Sequence, residues 1–289
     1  MSDIDTNQYS NMCKVDVSKE KYALLSFDVE EFDVPSEYGY NITLDEQVAL
    51  SEYGVNIILD LLKEKNIKST FFCTTNFAIH AQSTIKRIIE EGHEIASHGC
   101  NHIKPNIGDE LVSKKILEEL FNINVYGYRQ PRMQEIDFIK VRETYVYNAS
   151  LNPTFIPGRY ANHTKPRTIF KQDKLVSIPS SVTPMFRFPL FWMSLHHLPM
   201  CVYVFLVKRT LVYDGYFNTY FHPWEFIDLS NQKFDIPYII RHNSGKKMVC
   251  RLKKLIDSLV KLGAKFITYN KMTIIYNKCY EADCGNTLL

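Results

Sequence analysis

Tyr22-Ala23-Leu24-Leu25-Ser26-Phe27-Asp28-Val29-Glu30 reads as a buried strand that ends on two carboxylates. Side chains at i and i+2 share one face of a strand, so Asp28 and Glu30 can point into a single pocket from its C-terminal end. Seventy residues beyond Asp28, after a second strand-like run, comes Ser97-His98-Gly99-Cys100-Asn101-His102. The C-terminal ends of parallel strands are where open α/β sheets and α/β barrels place their sites.

Working outward, strand-like runs recur at Tyr22 to Asp28, Ser69 to Thr74, His93 to His98, Val125 to Gln130, Tyr145 to Ser150, Leu175 to Pro179, Tyr216 to His222 and Lys265 to Tyr269. Helical material separates them, which predicts an α/β fold with a mainly parallel sheet. One helix starts at Thr43, an N-cap with Glu46 three residues on. Others are expected from Asp109 to Phe121 and from Lys246 to Leu262, the last ended by Gly263. Between Asn152 and Phe191 there are six prolines and no helical pattern, so an irregular excursion that could shape a groove is expected. Residues 1–20 read as a loose leader and 21–289 as one catalytic domain.

A chain of 289 residues, 45% hydrophobic and 23% charged, can bury a sizeable core. Its net charge of +2 offers no broad electrostatic footprint for nucleic acid. The polar N-terminus lacks a positively charged leader before an apolar stretch, and the seven cysteines form no CxxC pair. Both features favour a reducing, cytoplasmic setting over secretion. Leu190 to Val212 is apolar enough to raise the question of a membrane span. Pro199 and the adjacent His196 and His197 make insertion costly, so a buried helix, or one resting on a membrane surface, is expected instead.

The chemistry lies in four clusters. His98 and His102 are four apart, a spacing that one helical turn would stack on one side. With one carboxylate they form a ligand set used by catalytic zinc, which keeps a position open. Tyr128-Arg129-Gln130-Pro131-Arg132 and Tyr220-Phe221-His222-Pro223-Trp224-Glu225 each follow a strand-like run. An Arg at a pocket rim can hold a carboxylate through a bidentate pair, and a His there can donate a proton near neutral pH. Four clusters with different chemical roles, each after a strand, point to a common site.

At these motifs the chain resembles the metal-dependent polysaccharide deacetylases of carbohydrate esterase family 4, from about Tyr22 to Tyr269. Phe27-Asp28-Val29-Glu30 is similar to that family's first motif, Ser97 to His102 to its metal-binding His motif, Arg129-Gln130-Pro131 to its Arg-x-Pro motif and Phe221-His222-Pro223 to its late His motif. The resemblance implies a distorted (β/α) barrel with fewer than eight complete units. It makes Asp28 the general base, Glu30, His98 and His102 the ligands of a divalent metal (Zn²⁺ or Co²⁺), Arg129 the partner of Asp28 and His222 the general acid. Pro131 and Trp224 would contact substrate. Glu30 stands where the family usually has Asp, Gly99 where it often has Ser or Thr, and the acidic motif that tunes the late His has no evident counterpart.

The expected reaction is removal of an N-acetyl group from an acetamido sugar, with a backbone N–H near Arg129 or Gln130 helping to hold the oxyanion. The acetylated glycan would be a polysaccharide or a cytoplasmic, lipid-linked precursor. Phe188 to Val207 together with Arg159, Lys165 and Arg167 would meet a lipid diphosphate during peripheral contact with the inner membrane surface. Two alternatives share the scaffold: an amidohydrolase acting on small cyclic amides or imides, and a glycan-binding relative without catalysis.

Overall fold

A computed structural model describes residues 20–102, 106, 108–231, 234 and 236–285. The expected leader lies almost wholly outside them. The strands are β1 (Lys21–Val29), β2 (Thr70–Cys73), β3 (Glu94–Ser97), β4 (Gly127–Tyr128), β5 (Tyr147–Asn148), β6 (Phe155–Ile156), β7 (Tyr160–Ala161), β8 (Phe170–Gln172), β9 (Leu175–Ser177), β10 (Tyr216–Phe221) and β11 (Ala264–Phe266). Each of the strand-like runs read from the sequence overlaps a strand, the last by only two residues. The main sheet runs β10-β1-β2-β3-β4-β5-β9-β8, and β11 pairs with the start of β1. Every pairing in it is parallel except β8 with β9.

The sheet curls into an incomplete barrel. Instead of a ladder between β9 and β10, the gap is bridged after β9, where the Ser181 N–H donates to the Asn218 carbonyl at 3.0 Å. Ser181 Oγ in turn accepts the Asn218 N–H at 2.9 Å. This is the distorted (β/α) barrel implied by the resemblance.

Strand alternation sorts β1 into two faces. Ala23, Leu25, Phe27 and Val29 pack outward with Val55, Ile58, Leu59 and Leu62 of the helix Leu44–Lys65. Leu24 turns inward, into a cluster with Phe72, Ala96, Tyr147 and Val176 that is plugged by Tyr269, Met272 and Tyr276 of the C-terminal helix. Burial of each such side chain stabilises by about 1.5–3 kcal/mol, so a one-residue slip that exchanged the faces would be strongly disfavoured. The same register places Ser26 and Asp28 on the inner face.

The helix boundaries follow local chemistry. Thr43 caps the helix Leu44–Lys65, its Oγ1 accepting the Glu46 N–H at 3.3 Å. Asn66, with φ of 51°, ends it in the left-handed region. Between 152 and 191 the chain forms the β6–β7 hairpin, β8 and β9, with no helix. The apolar stretch from Leu190 is cut by Pro199 into helices Trp192–His197 and Met200–Asp214. No helix among the described residues is long and apolar enough to cross a membrane.

Candidate metal centre and flanking groups

Glu30, just past the end of β1, is 2% exposed. His98 follows β3 directly, and its Nε2 lies 3.4 Å from Glu30 Oε2. His102 Nε2 lies 3.1 Å from the same oxygen. One donor atom from each of the three lies within 4.8 Å of the others. Glu30 Oε2 is buried without a hydrogen-bond partner. A carboxylate oxygen stranded between two imidazole nitrogens is costly by itself and suits a cation, so the residues present fit a divalent metal.

Both imidazoles are held from behind. His98 Nδ1 donates to the Arg129 carbonyl at 2.8 Å, and His102 Nδ1 meets Asp33 Oδ2 at 2.7 Å. Each contact fixes a ring so that Nε2 is presented to the centre, a common arrangement around metal-ligating His. Burial alone would raise the Glu30 pKa, but the charge of His102 and the adjacent His98 ring outweigh it and hold the carboxyl low. His102 is raised against its burial by Glu30 and Asp33.

The two His are not stacked by a helical turn, contrary to their spacing. Residues 98–102 form a loop in which Gly99 adopts φ of 76°, outside the right-handed helical region. The carbonyls of Gly99 and Cys100 accept the Thr75 and Asn76 N–H groups at 3.0 and 3.1 Å, pinning the loop to the start of the helix Thr75–His80. The acids after Glu30 are buried and support the site. Glu31 accepts the Thr74 hydroxyl at 2.6 Å and also bonds Asn76, while Asp33 supports His102.

Asp28 sits beside the triad with Arg129 beneath it. Arg129 is fully buried and pairs with Asp28 through Nη1. Three further donors go to Ser26 Oγ at 3.0 Å, the Ala149 carbonyl at 3.2 Å and Tyr269 Oη at 2.9 Å. The guanidinium lies 3.9 Å from the centroid of the Phe72 ring. With four of its five N–H donors engaged, Arg129 holds Asp28 in place, and it is not among the residues that line the cavity. The oxyanion donors expected at Arg129 and Gln130 are also occupied, by the Ser97 carbonyl at 2.9 Å and by Ser150 Oγ at 2.8 Å.

His222 follows β10, whose Phe221 is in register with Phe27 of β1. The helix Leu44–Lys65 packs on the turn after it, and a Cβ at Gly54 would lie 2.1 Å from the Pro223 carbonyl oxygen. The imidazole stacks on Trp224 with centroids 5.0 Å apart and meets the edge of Trp192 at 5.7 Å. The acidic partner not found by motif is Glu225, whose Oε1 lies 2.9 Å from His222 Nδ1. It was present in the sequence, one turn beyond His222, but its role depends on the 3-10 turn Pro223–Phe226 folding it back. Burial disfavours protonated His222, yet the bond to Glu225 and the charges of Glu30, Glu225 and Asp28 prevail and raise its pKa.

A cavity of about 420 Å³ joins these groups. Asp28, Glu30, His98, His102, His222 and Trp224 line it, together with Trp192, Arg159 and Tyr160, which sequence reasoning did not place there. Pro131 is buried off the lining, with its ring 3.4 Å from where a Cβ on Gly99 would lie. Arg167 pairs with Asp214 through two contacts at 2.6 and 2.5 Å.

An incomplete (β/α) barrel with a largely buried His/His/carboxylate triad at its strand ends is the class of protein that fold and site define. Residues 18–135 match the family model described as polysaccharide deacetylase. A 64-residue segment is 34% identical to the peptidoglycan-N-acetylglucosamine deacetylase PgdA of Listeria monocytogenes, covering 22% of this chain and 12% of that protein. Among solved structures, one from Mycobacterium smegmatis that bears the name polysaccharide deacetylase superposes with TM-score 0.63 at 17% identity, covering 93% of this chain and 94% of that one. The PuuE allantoinase superposes with TM-score 0.63 at 14% identity, covering 93% and 95%. A carbohydrate esterase family 4 pseudoenzyme from Bacillus anthracis gives TM-score 0.50 at 13% identity, covering 88% and 66%. Residues 18–135, which hold Asp28, Glu30, His98, His102 and Arg129, are thus similar to polysaccharide deacetylases, and the solved structures share the fold.

Proposed function

We propose that this chain is a metal-dependent hydrolase that removes N-acetyl groups from an acetamido sugar of a glycan. A fold shared by a deacetylase, an allantoinase and a pseudoenzyme leaves the chemistry to the site. The observation that carries the reading is the convergence of both imidazoles on the unpartnered Glu30 Oε2, with Asp28–Arg129 and His222–Glu225 in the same cavity.

Glu30, His98 and His102 would hold the ion, and the two-imidazole, one-carboxylate donor set suits Zn²⁺, with Co²⁺ as the nearest substitute. Such an ion supplies Lewis acidity, polarising the acetyl carbonyl and acidifying a water. Asp28, fixed by Arg129, takes the proton of the attacking water. His222 donates from the ring nitrogen not used by Glu225, so the C–N bond breaks with the nitrogen leaving as an amine. Water and the acetamide are thereby converted to acetate and an amino sugar. Trp192 and Trp224 line the cavity with their rings, and rings of this kind suit the apolar faces of a sugar.

The zinc-loaded protein should release acetate from N-acetylated oligosaccharides. Ring opening of small cyclic amides without acetate release would select the amidohydrolase reading. Saccharide binding without either reaction would select a binding protein.

A lipid-linked substrate is supported by exposed apolar and basic residues elsewhere on the surface. Met185 and Phe186, 78% and 87% exposed, tip the turn between Val182 and Pro189. Phe205, Val212 and Tyr213 are exposed along the helix Met200–Asp214, with Lys208 and Arg209 between them. Apolar tips interleaved with basic residues suit peripheral contact with an anionic membrane, in keeping with a cytoplasmic protein at the inner membrane surface. Co-sedimentation with anionic vesicles should be lost on replacing Met185 and Phe186 together by Ser. Equal sedimentation of the two proteins would end this reading.

A further inference from the structure

We infer that His196 is a positioning residue of this site: buried behind Glu225, it shares a proton with that carboxylate and so sets how strongly Glu225 draws on His222. This rests on the acid role proposed above for His222, but the proton accounting that supports it does not.

His196 lies in the helix Trp192–His197 and is fully buried, as is Glu225. Its Nδ1 is 2.6 Å from the His242 carbonyl oxygen, which can only accept, so Nδ1 carries a hydrogen. Its Nε2 is 2.9 Å from Glu225 Oε2. A bare ring nitrogen facing a bare carboxylate oxygen at that distance would set two lone pairs against each other without water to relieve them. A proton therefore occupies this contact as well. Whether written as imidazolium with carboxylate or imidazole with carboxylic acid, the pair has no net charge.

The other carboxyl oxygen serves the site. Glu225 Oε1 accepts the His222 backbone N–H at 2.6 Å and its Nδ1–H at 2.9 Å, which leaves Nε2 as the ring atom for the cavity. The elements around this hydrogen-bond chain contribute Glu30 and Asp28 toward His222, Tyr203 toward Glu225, and His197 and His242 toward His196, with Lys247 and Arg251 near His242. Arg251 is itself turned onto the Leu195 carbonyl at 2.6 Å, and Asn243 holds the His196 carbonyl at 2.6 Å. The helix end is thus fixed from two sides, with the imidazole aimed at Glu225.

The consequence concerns proton release. Glu225 with a full, uncompensated charge would bind the His222 proton too tightly for ready donation to a departing amine. Sharing a proton with His196 keeps the orienting hydrogen bond while removing that excess attraction.

The test uses the full-length, zinc-loaded protein and ¹⁵N NMR titration of its His rings, alongside the pH profile of acetate release. His196→Gln retains an N–H donor for Oε2 but brings no extra proton, so Glu225 becomes a net negative neighbour. The His222 midpoint should move upward by ~1 unit or more, and the alkaline limb of the activity profile should move with it. In a Glu225→Gln background the same His196 substitution should add no upward shift. An unchanged or lowered midpoint in folded His196→Gln overturns the inference. The parent protein gives an independent reading: a deprotonated His196 Nε2 beside an ionised Glu225 would also overturn it. Since the midpoint is read without turnover, the predicted shift in a protein that releases no acetate would retire the hydrolase reading and leave the role of His196 standing.

Discussion

Asp28→Asn should keep its zinc and lose turnover by about 10²–10⁴-fold, the range that a positioned general base contributes. The substitution preserves shape and leaves an amide oxygen to accept from Arg129, but an amide cannot take a proton from water near neutral pH. Glu30, His98 and His102 are untouched, which is why metal content and activity should separate. There is a stability cost to watch. Arg129 is fully buried and Asp28 is its carboxylate partner. Leaving a buried charge unpaired costs ~3–5 kcal/mol, reduced here because Ser26, Tyr269 and the Ala149 carbonyl continue to accept from the guanidinium. Activity must therefore be measured well below the melting temperature of the variant. Full turnover would remove Asp28 as the base, and loss of zinc would move it into the ligand set.

His98→Ala should do the opposite and lose the metal itself. Two donors, Glu30 and His102, would remain, and the variant also forfeits the ring that the Arg129 carbonyl orients. Removing an outer hydrogen bond typically weakens metal binding by about 10–100-fold, and removal of a ligand should exceed that. Elemental analysis after gel filtration should show stoichiometric zinc in the parent and His222→Ala, but only traces in His98→Ala. Unchanged zinc in His98→Ala would take His98 out of the ligand set. Activity should not return to His98→Ala at zinc concentrations that saturate the parent.

Much of this site was legible because a parallel strand carries its functional residues at its end. Apolar runs marked β1, β3, β4 and β10, and the polar residues just beyond them converged. Glu225 escaped detection although it lies three residues from His222, because an acid there is unremarkable until a 3-10 turn folds it back. Asp33 and His196 escaped for a different reason. Their partners, His102 and Glu225, are 69 and 29 residues away, and no local spacing encodes such contacts. The i, i+4 spacing of His98 and His102 suggested a helix that Gly99 and the pinned loop carbonyls exclude. Arg129 and Gln130 looked able to offer backbone donors, but their amides are consumed by the fold.

The sequence by itself determined the alternation of strand and helix, the inward face of β1 and the residue types available for a metal, a base and an acid. Those properties depend on side-chain periodicity and intrinsic chemistry, which act over a few residues. Only the tertiary structure decided which imidazoles meet Glu30 Oε2, that Arg129 lies beneath the cavity while Trp192 faces it, and that Glu225 stands between His222 and His196. Each of those outcomes depends on how the curled sheet brings distant strand ends together, and local sequence does not carry that distance.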